Sequence, residues 1–241
     1  MKVEAKVRSV HRETHDVKTF RLYPEKKIDF TPGQYCLVSI LDSKKHKNIS
    51  KPFTYSSSPT KRYVELTVKR MGNFTTAIHN LKKGDRLLLD GPRGNSLNFD
   101  ETVKEDVVFI AGGSGITPFM SSLRYAVEND LKNNITLLFS NRTKKDIIFE
   151  EELETINNKN GFNVVNTLSD DWSKDWGGET GMINSEMIKK YIDKPPRKVW
   201  YICGPPPMID SMVDILNELG VNEEKVKYES WMIPGKGKNS N

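Results

Sequence analysis

Gly112-Gly113-Ser114-Gly115-Ile116-Thr117-Pro118 directly follows the apolar run Val107-Val108-Phe109-Ile110-Ala111. Glycines placed there let a backbone approach a phosphate group closely. The run has the length and composition of a buried parallel strand, and the glycines open onto a helix that Thr117 is expected to cap, with Pro118 in its first position. A helix N-terminus offers unpaired N–H groups and the positive end of the dipole, so a pyrophosphate can bind there without a lysine. A tight strand-to-helix turn has a similar sequence, because this spacing is not the full dinucleotide fingerprint. A second signature, Cys203-Gly204-Pro205-Pro206-Pro207-Met208, follows a second apolar run, Val199-Trp200-Tyr201-Ile202. Open α/β sheets bind ligands outside the carboxyl ends of their strands, so two such turns on one rim point to one extended ligand, a nicotinamide dinucleotide. The three prolines donate no hydrogen bond and read as a stiff wall. Cys203 stands at the nicotinamide end of that seat, or is a small buried hydrophobe.

The first half of the chain carries its own chemistry. In Lys51-Pro52-Phe53-Thr54-Tyr55-Ser56-Ser57-Ser58-Pro59 a cation, an aromatic ring and a run of hydroxyls share an extended segment. Alternate residues of such a segment face one way, so Lys51 and Phe53 can address one ligand with a charge and a ring while Thr54 turns its hydroxyl to the ring edge. The competing reading is a serine-rich loop. Val68-Lys69-Arg70-Met71-Gly72-Asn73-Phe74-Thr75-Thr76 runs from a strand through a glycine into a short helix, a second anion site. Two phosphate sites call for two dinucleotides. Ser140-Asn141-Arg142-Thr143-Lys144-Lys145 follows the second strand of the nucleotide half, where doubly wound sheets meet the adenosine ribose. Ser140, Arg142 and Lys144 there favour a 2′-phosphate, hence NADPH over NADH; the alternative is a solvated basic turn.

The elements that must hold these residues change character near 101–106. Before it, segments 3–13, 17–23, 35–41, 63–70 and 86–90 are short and β-rich, with one helix at about 75–81, a pattern expected of an antiparallel β-barrel. After it, strands near 107–111, 135–140, 162–168, 198–203 and 225–229 alternate with helices near 118–131, 147–157, 184–191 and 207–219, as in an α/β doubly wound parallel sheet. The expected domains are therefore 1–101 and 106–234, with a disordered tail at 235–241.

Composition narrows the class. The 241 residues are 36% hydrophobic with a net charge of +5, enough for one or two packed domains. No run reaches transmembrane length and the start reads as a strand, so a soluble cytoplasmic protein without membrane insertion is expected. Cys36 and Cys203 are too few for a cysteine zinc site or a four-cysteine iron–sulfur cluster, and no metal is expected. The basic runs Lys44-Lys45-His46-Lys47 and Lys82-Lys83 and the tail from Lys236 lack interleaved aromatics, which argues against nucleic acid. They could steer an acidic partner.

With these motifs in this order, the whole chain resembles the ferredoxin–NADP reductase family of flavoenzymes, which includes cytochrome-b-type, oxygenase and flavin reductases. The family's Arg-x-Tyr-Ser/Thr flavin motif matches Lys51, Pro52, Phe53 and Thr54, and its Gly-x-x-Ser/Thr pyrophosphate motif matches Gly72, Asn73, Phe74 and Thr75. Gly91-Pro92-Arg93-Gly94 resembles its barrel closure, and Gly112 to Phe119 and Cys203 to Met208 resemble its NAD(P) motifs. Lys51 in place of arginine gives up a bidentate fork, and Phe53 in place of tyrosine gives up a hydroxyl but keeps a stacking face. The resemblance implies FAD on the barrel, NADPH or NADH on the α/β domain, and hydride transfer from nicotinamide to flavin N5, with Thr54 hydrogen-bonded to N5. Cys203 would line the nicotinamide side and Glu229 is a candidate for proton handling, with an exposed carboxylate as its alternative. Trp231 would lie over the flavin face or pack an interface. Electrons would pass to an acceptor protein such as a ferredoxin, a cytochrome or an oxygenase component. A flavin reductase releasing reduced flavin, an electron-transfer subunit of a larger oxidoreductase, and a non-catalytic module on a relict fold are the alternatives.

Overall fold

A computed structural model describes residues 1–41, 46, 48–170 and 175–229. Trp231, the tail from 235 and the basic run at 44–47 apart from His46 lie outside the described residues. Two compact units form, one of Met1–Phe99 with Thr117–Asp130, the other of Asp100–Ile116 with the chain from Leu131.

The first unit is built on β1 (Lys2–Arg12), β2 (Val17–Pro24), β3 (Tyr35–Ile40), β4 (Lys51–Thr54), β5 (Val64–Lys69), the short helix α1 (Asn73–His79) and β6 (Arg86–Arg93). The strands are antiparallel in the order β4-β3-β6-β1-β2-β5. A bridge between Tyr55 and Leu66 joins the chain leaving β4 to β5, so the sheet curls into a near-barrel. Strict alternation in β3, with Cys36, Val38 and Ile40 buried, shows why: one face must be covered, and curling covers it with the same sheet's Phe20, Leu22, Leu66 and Leu89. α1 begins two residues earlier than its sequence pattern indicates. The Thr75 hydroxyl accepts from the backbone N–H groups of Met71 (2.8 Å) and Gly72 (3.0 Å), which winds the turn before the helical periodicity is readable.

The parallel sheet comprises β7 (Val107–Gly112), β8 (Ile135–Asn141), β9 (Phe162–Leu168), the two-residue β10 (Glu179–Thr180), β11 (Val199–Cys203) and β12 (Val226–Glu229), in the order β10-β9-β8-β7-β11-β12. All of β7 is buried, as expected of a central parallel strand covered on both faces. The chain runs outward from β7 through β8, β9 and β10, then returns to its other side with β11. The switch point of the topology therefore lies between β7 and β11. The helices are α2 (Ile116–Glu128), α3 (Glu150–Asn157), α4 (Ser185–Tyr191) and α5 (Pro206–Glu218).

Further helix starts differ from the sequence reading: α3 opens at Glu150 rather than near 147, after Phe149 in the left-handed region at φ +62°, and α2 and α5 open differently as well. Thr117 does not cap α2, and Pro118 is its third residue rather than its first. A single 3-10 turn at Gly113–Gly115, with Gly113 at φ +51°, bends the chain into the helix earlier; proline is tolerated there because first-turn N–H groups have no intrahelical acceptor. The proline run is likewise no loop: Pro205 is the N-cap of α5, and Pro206 and Pro207 are its first two residues, where a fixed φ and a missing N–H suit a helix. α2 also belongs to the first unit, although it stands between two strands of the parallel sheet in sequence. Its Ser121 and Arg124 bond to the carbonyls of Ser57 and Ser56.

Candidate functional site

The two glycine signatures meet backbone to backbone. β7 and β11 are neighbours with Ala111 opposite Cys203, so both turns leave the same rim at the switch point. A Cβ on Gly115 would lie 2.1 Å from the Cys203 carbonyl oxygen, and one on Gly112 would lie 2.6 Å from Met208 Sδ and 2.9 Å from Pro205 Cδ. Gly204 is packed the same way, its added Cβ falling 3.0 Å from Met208 Sδ. Glycine at 112 and 115 is therefore required by close approach, whereas Gly113 faces open space and is required by its positive φ. A turn of glycine backbone at the start of a 13-residue helix, with Gly113 facing open space, fits a pyrophosphate. Cys203 itself is fully buried.

Glu229 stands opposite Cys203 in the β11–β12 ladder, so the two side chains share a face. It is half-buried rather than exposed, and loss of water around it raises its carboxyl to about 7. Folding thus disfavours its ionised form. With a folded pKa above the ordinary 4.5, the group costs no stability below pH 4.5 and progressively more as pH rises to about 7. Thermal unfolding measured from pH 4.5 to 8 is expected to show a falling midpoint across that window, and Glu229→Gln should remove this component; an identical profile in the variant would refute the assignment.

At the adenosine end, Ser140 and Asn141 close β8 and Arg142 follows, fully in solvent reach but not free. Its Nε donates to Asp170 Oδ2 at 2.9 Å, and the Asp170 N–H donates to the Arg142 carbonyl. Asp170 is held below the usual carboxylate range by that guanidinium and by Ser169. Lys144 is exposed in a 3-10 turn. Asn141 is buried, and neither atom of its amide finds a hydrogen-bond partner among the described residues. Asp170 carries no motif, and its pairing with Arg142 shows only because β8 and β9 pair in parallel with Asn141 opposite Leu168.

On the first unit, the two flavin-type motifs come together at the seam where the sheet nearly closes. Lys51 and Pro52 are exposed, Phe53 is half-buried, and Thr54 is buried opposite Tyr35. Phe53 stacks on Phe74 of α1, with ring centroids 6.3 Å apart and planes 18° apart, which joins one motif to the other. Phe74 and Val68 are core residues; the Val68 carbonyl accepts from His79 Nε2 at 2.7 Å. Lys69 pairs with Asp16 at 3.2 Å, while Arg70, Gly72, Asn73 and Thr76 are exposed. The hydroxyls after Thr54 form no loose loop: Ser56, Ser57 and Ser58 are buried, and Ser56 Oγ bonds Thr67 Oγ1 at 2.9 Å.

A near-barrel with a cation, rings and a glycine turn at its seam, followed in the chain by a doubly wound sheet with a bare backbone rim, defines an oxidoreductase of two dinucleotides. Comparison with known proteins agrees. Residues 4–97 match the family "Oxidoreductase FAD-binding domain" and residues 109–214 match "Oxidoreductase NAD-binding domain". Sulfhydrogenase 1 subunit gamma of Pyrococcus furiosus is 32% identical over 223 residues, which cover 89% of this chain and 73% of that one. The reductase component of propane 2-monooxygenase of Mycolicibacterium smegmatis is 30% identical, covering 96% and 68%. NADH-cytochrome b5 reductase 1 of Mortierella alpina is 31% identical over 196 residues, and this chain spans 65% of its length. Among solved structures, the ferredoxin reductase in carbazole 1,9a-dioxygenase superposes with a TM-score of 0.84 at 26% identity, covering 96% of this chain and 70% of that one. The chain belongs to the FAD- and NAD(P)-binding oxidoreductases of the ferredoxin-reductase and cytochrome-reductase type, and it is an NAD(P)H- and FAD-dependent electron-transferring oxidoreductase. Among the described residues no helix is long and apolar enough to cross a membrane.

Proposed function

We propose that this chain is a reductase module that draws reducing equivalents from NAD(P)H and delivers electrons to a separate acceptor protein, a ferredoxin, a cytochrome or an oxygenase component. The observation that carries the reading is the backbone contact of Gly115 with Cys203, which builds one continuous rim out of two distant motifs. Residues 1–101 would form the flavin domain and 106–234 the nicotinamide domain. Lys51, Phe53, Thr54 and the exposed stretch from Arg70 to Thr76 would hold FAD, and Gly112 to Pro118 with Gly204, Pro205 and Met208 would hold the nicotinamide dinucleotide. Bound FAD supplies the conversion of a two-electron hydride into single electrons. The chain's own task is to hold the two ligands, exclude water from them and keep the Thr54 hydroxyl in place. The cytoplasm is the proposed compartment, in keeping with two buried cysteines that are not joined in a disulfide.

The visible spectrum of the purified protein, recorded before and after anaerobic NADH or NADPH, tests this. Flavin absorbance bleached by either nucleotide is expected, and a colourless protein that takes up no FAD would refute it. Bleaching with flavin that dialyses away would instead favour a flavin reductase. The likeness to a sulfhydrogenase gamma subunit favours a second reading, an electron-transfer subunit of a larger oxidoreductase; co-purification of a stable complex from native extract distinguishes it.

Nucleotide preference turns on Arg142 and Asp170. A guanidinium suits the 2′-phosphate of NADPH and a carboxylate suits the 2′-hydroxyl of NADH, so this pair serves both while Asp170 weakens the response to phosphate. Arg142→Ala should raise the Michaelis constant for NADPH severalfold more than for NADH. Asp170→Asn should shift preference towards NADPH. Equal effects on the two nucleotides in both variants would exclude the assignment.

A further inference from the structure

Glu65 is an acid in a strand of buried residues, with 7% of its side chain exposed. A charge in such a place must be paired and hydrogen-bonded, because an uncompensated buried carboxylate is strongly destabilising. Both of its oxygens are used. Oε1 accepts from Arg21 Nε at 2.8 Å, within the sheet, and Oε2 accepts from Arg124 Nη1 at 2.8 Å, from α2. Arg124 has 16% of its side chain exposed, and the same Nη1 donates to the Ser56 carbonyl at 2.7 Å.

Further bonds close the same contact. Ser121 Oγ, one turn before Arg124, donates to the Ser57 carbonyl at 2.7 Å. Ser57 Oγ accepts from the Glu65 N–H at 3.0 Å, and the Ser56 N–H donates to the Glu65 carbonyl at 2.9 Å. Glu128, one turn after Arg124, pairs with Lys61 at 2.7 Å and with the Thr60 hydroxyl. Positions 121, 124 and 128 lie on one helical face, and all three reach the segment 56–61. That segment continues directly from Thr54, and α2 continues directly from the glycine turn.

Apolar packing holds a helix against a sheet but is non-directional, so it leaves sliding and rotation weakly specified. Charged hydrogen bonds to fixed acceptors specify both. A buried ion pair, moreover, is often no more stabilising than an apolar pair of the same volume, so stability alone does not account for it. We infer that Glu65 and Arg124 are positioning residues: their bond seats α2 on the segment that follows Thr54, and so, through the helix that the glycine turn opens, sets the rate of flavin reduction without contact to either cofactor. The inference rests on the reductase reading above.

The test uses the FAD-loaded protein and the variants Glu65→Gln, Arg124→Met, Arg124→Lys and the double variant Glu65→Leu/Arg124→Met. Flavin content and reduction by dithionite report on the flavin site, anaerobic stopped-flow with NADH gives the limiting rate, and amide exchange over 116–124 reports on the helix. Glu65→Gln and Arg124→Met should retain FAD, exchange faster in α2, and lower the limiting rate between about tenfold and a hundredfold with a smaller change in half-saturating NADH. Arg124→Lys should restore part of the rate. The double variant should recover thermal stability while the rate stays low, a split that a purely structural pair would not give. Wild-type limiting rates in the single variants, recovery of rate together with stability in the double variant, or loss of FAD from all four would each overturn the inference. A wild-type protein that binds FAD but is reduced by neither nucleotide would overturn the reductase reading instead.

Discussion

Gly115→Ala is expected to leave a yellow protein that NAD(P)H reduces on the order of a hundredfold more slowly than wild type. The added methyl would stand 2.1 Å from the Cys203 carbonyl oxygen and 3.0 Å from the Gly204 nitrogen. Neither neighbour is a flexible side chain, so the clash is relieved only by moving the β7 turn away from β11. That movement opens the rim on which the pyrophosphate would lie and shifts the first turn of α2. Overpacking of this kind commonly costs about 1–3 kcal/mol, and a backbone obstacle places the cost towards the upper end of that range. The first unit does not include Gly115, so flavin absorbance and its reduction by dithionite should persist. Gly113→Ala, by contrast, meets no protein atom within 4 Å but requires φ +51°, so its loss of stability should be modest. Equal rates in Gly115→Ala and wild type would mean that the rim is not the nicotinamide seat.

Thr54→Val should produce the other large effect. Thr54 is buried at the end of β4 and pairs with Tyr35 of β3, so the substitution keeps shape and removes only the hydroxyl. If that hydroxyl serves the reacting edge of the flavin, losing one preorganised hydrogen bond should slow reduction by about a hundredfold or more at unchanged FAD content. Thr54→Ser should retain most of the rate. A uniform fall in flavin affinity with an unaltered limiting rate would instead assign Thr54 to holding the ring.

The order of strands and helices was legible along most of the chain because its causes are local. Alternation in β3, the continuous apolar run of β7, and glycine or proline at the turns are each contained within a few residues. The helix starts were less legible for the same reason inverted. The turn at Gly113 and the hydroxyl of Thr75 act before the helical period begins, and the prolines at 205–207 read as a wall until their place in the first turn of α5 is seen.

By itself, the sequence determined the two-part architecture, the two glycine rims and the residue types set around them, since periodicity and turn chemistry are properties of short stretches. Tertiary structure alone decided which distant groups meet. It placed Asp170 on Arg142, gave Glu229 a raised pKa through burial beside β11, and set Arg124 on a carboxylate 59 residues away, taking α2 into the first unit. Those outcomes depend on strand register and on the exclusion of water by elements remote in the chain, and no local pattern encodes either.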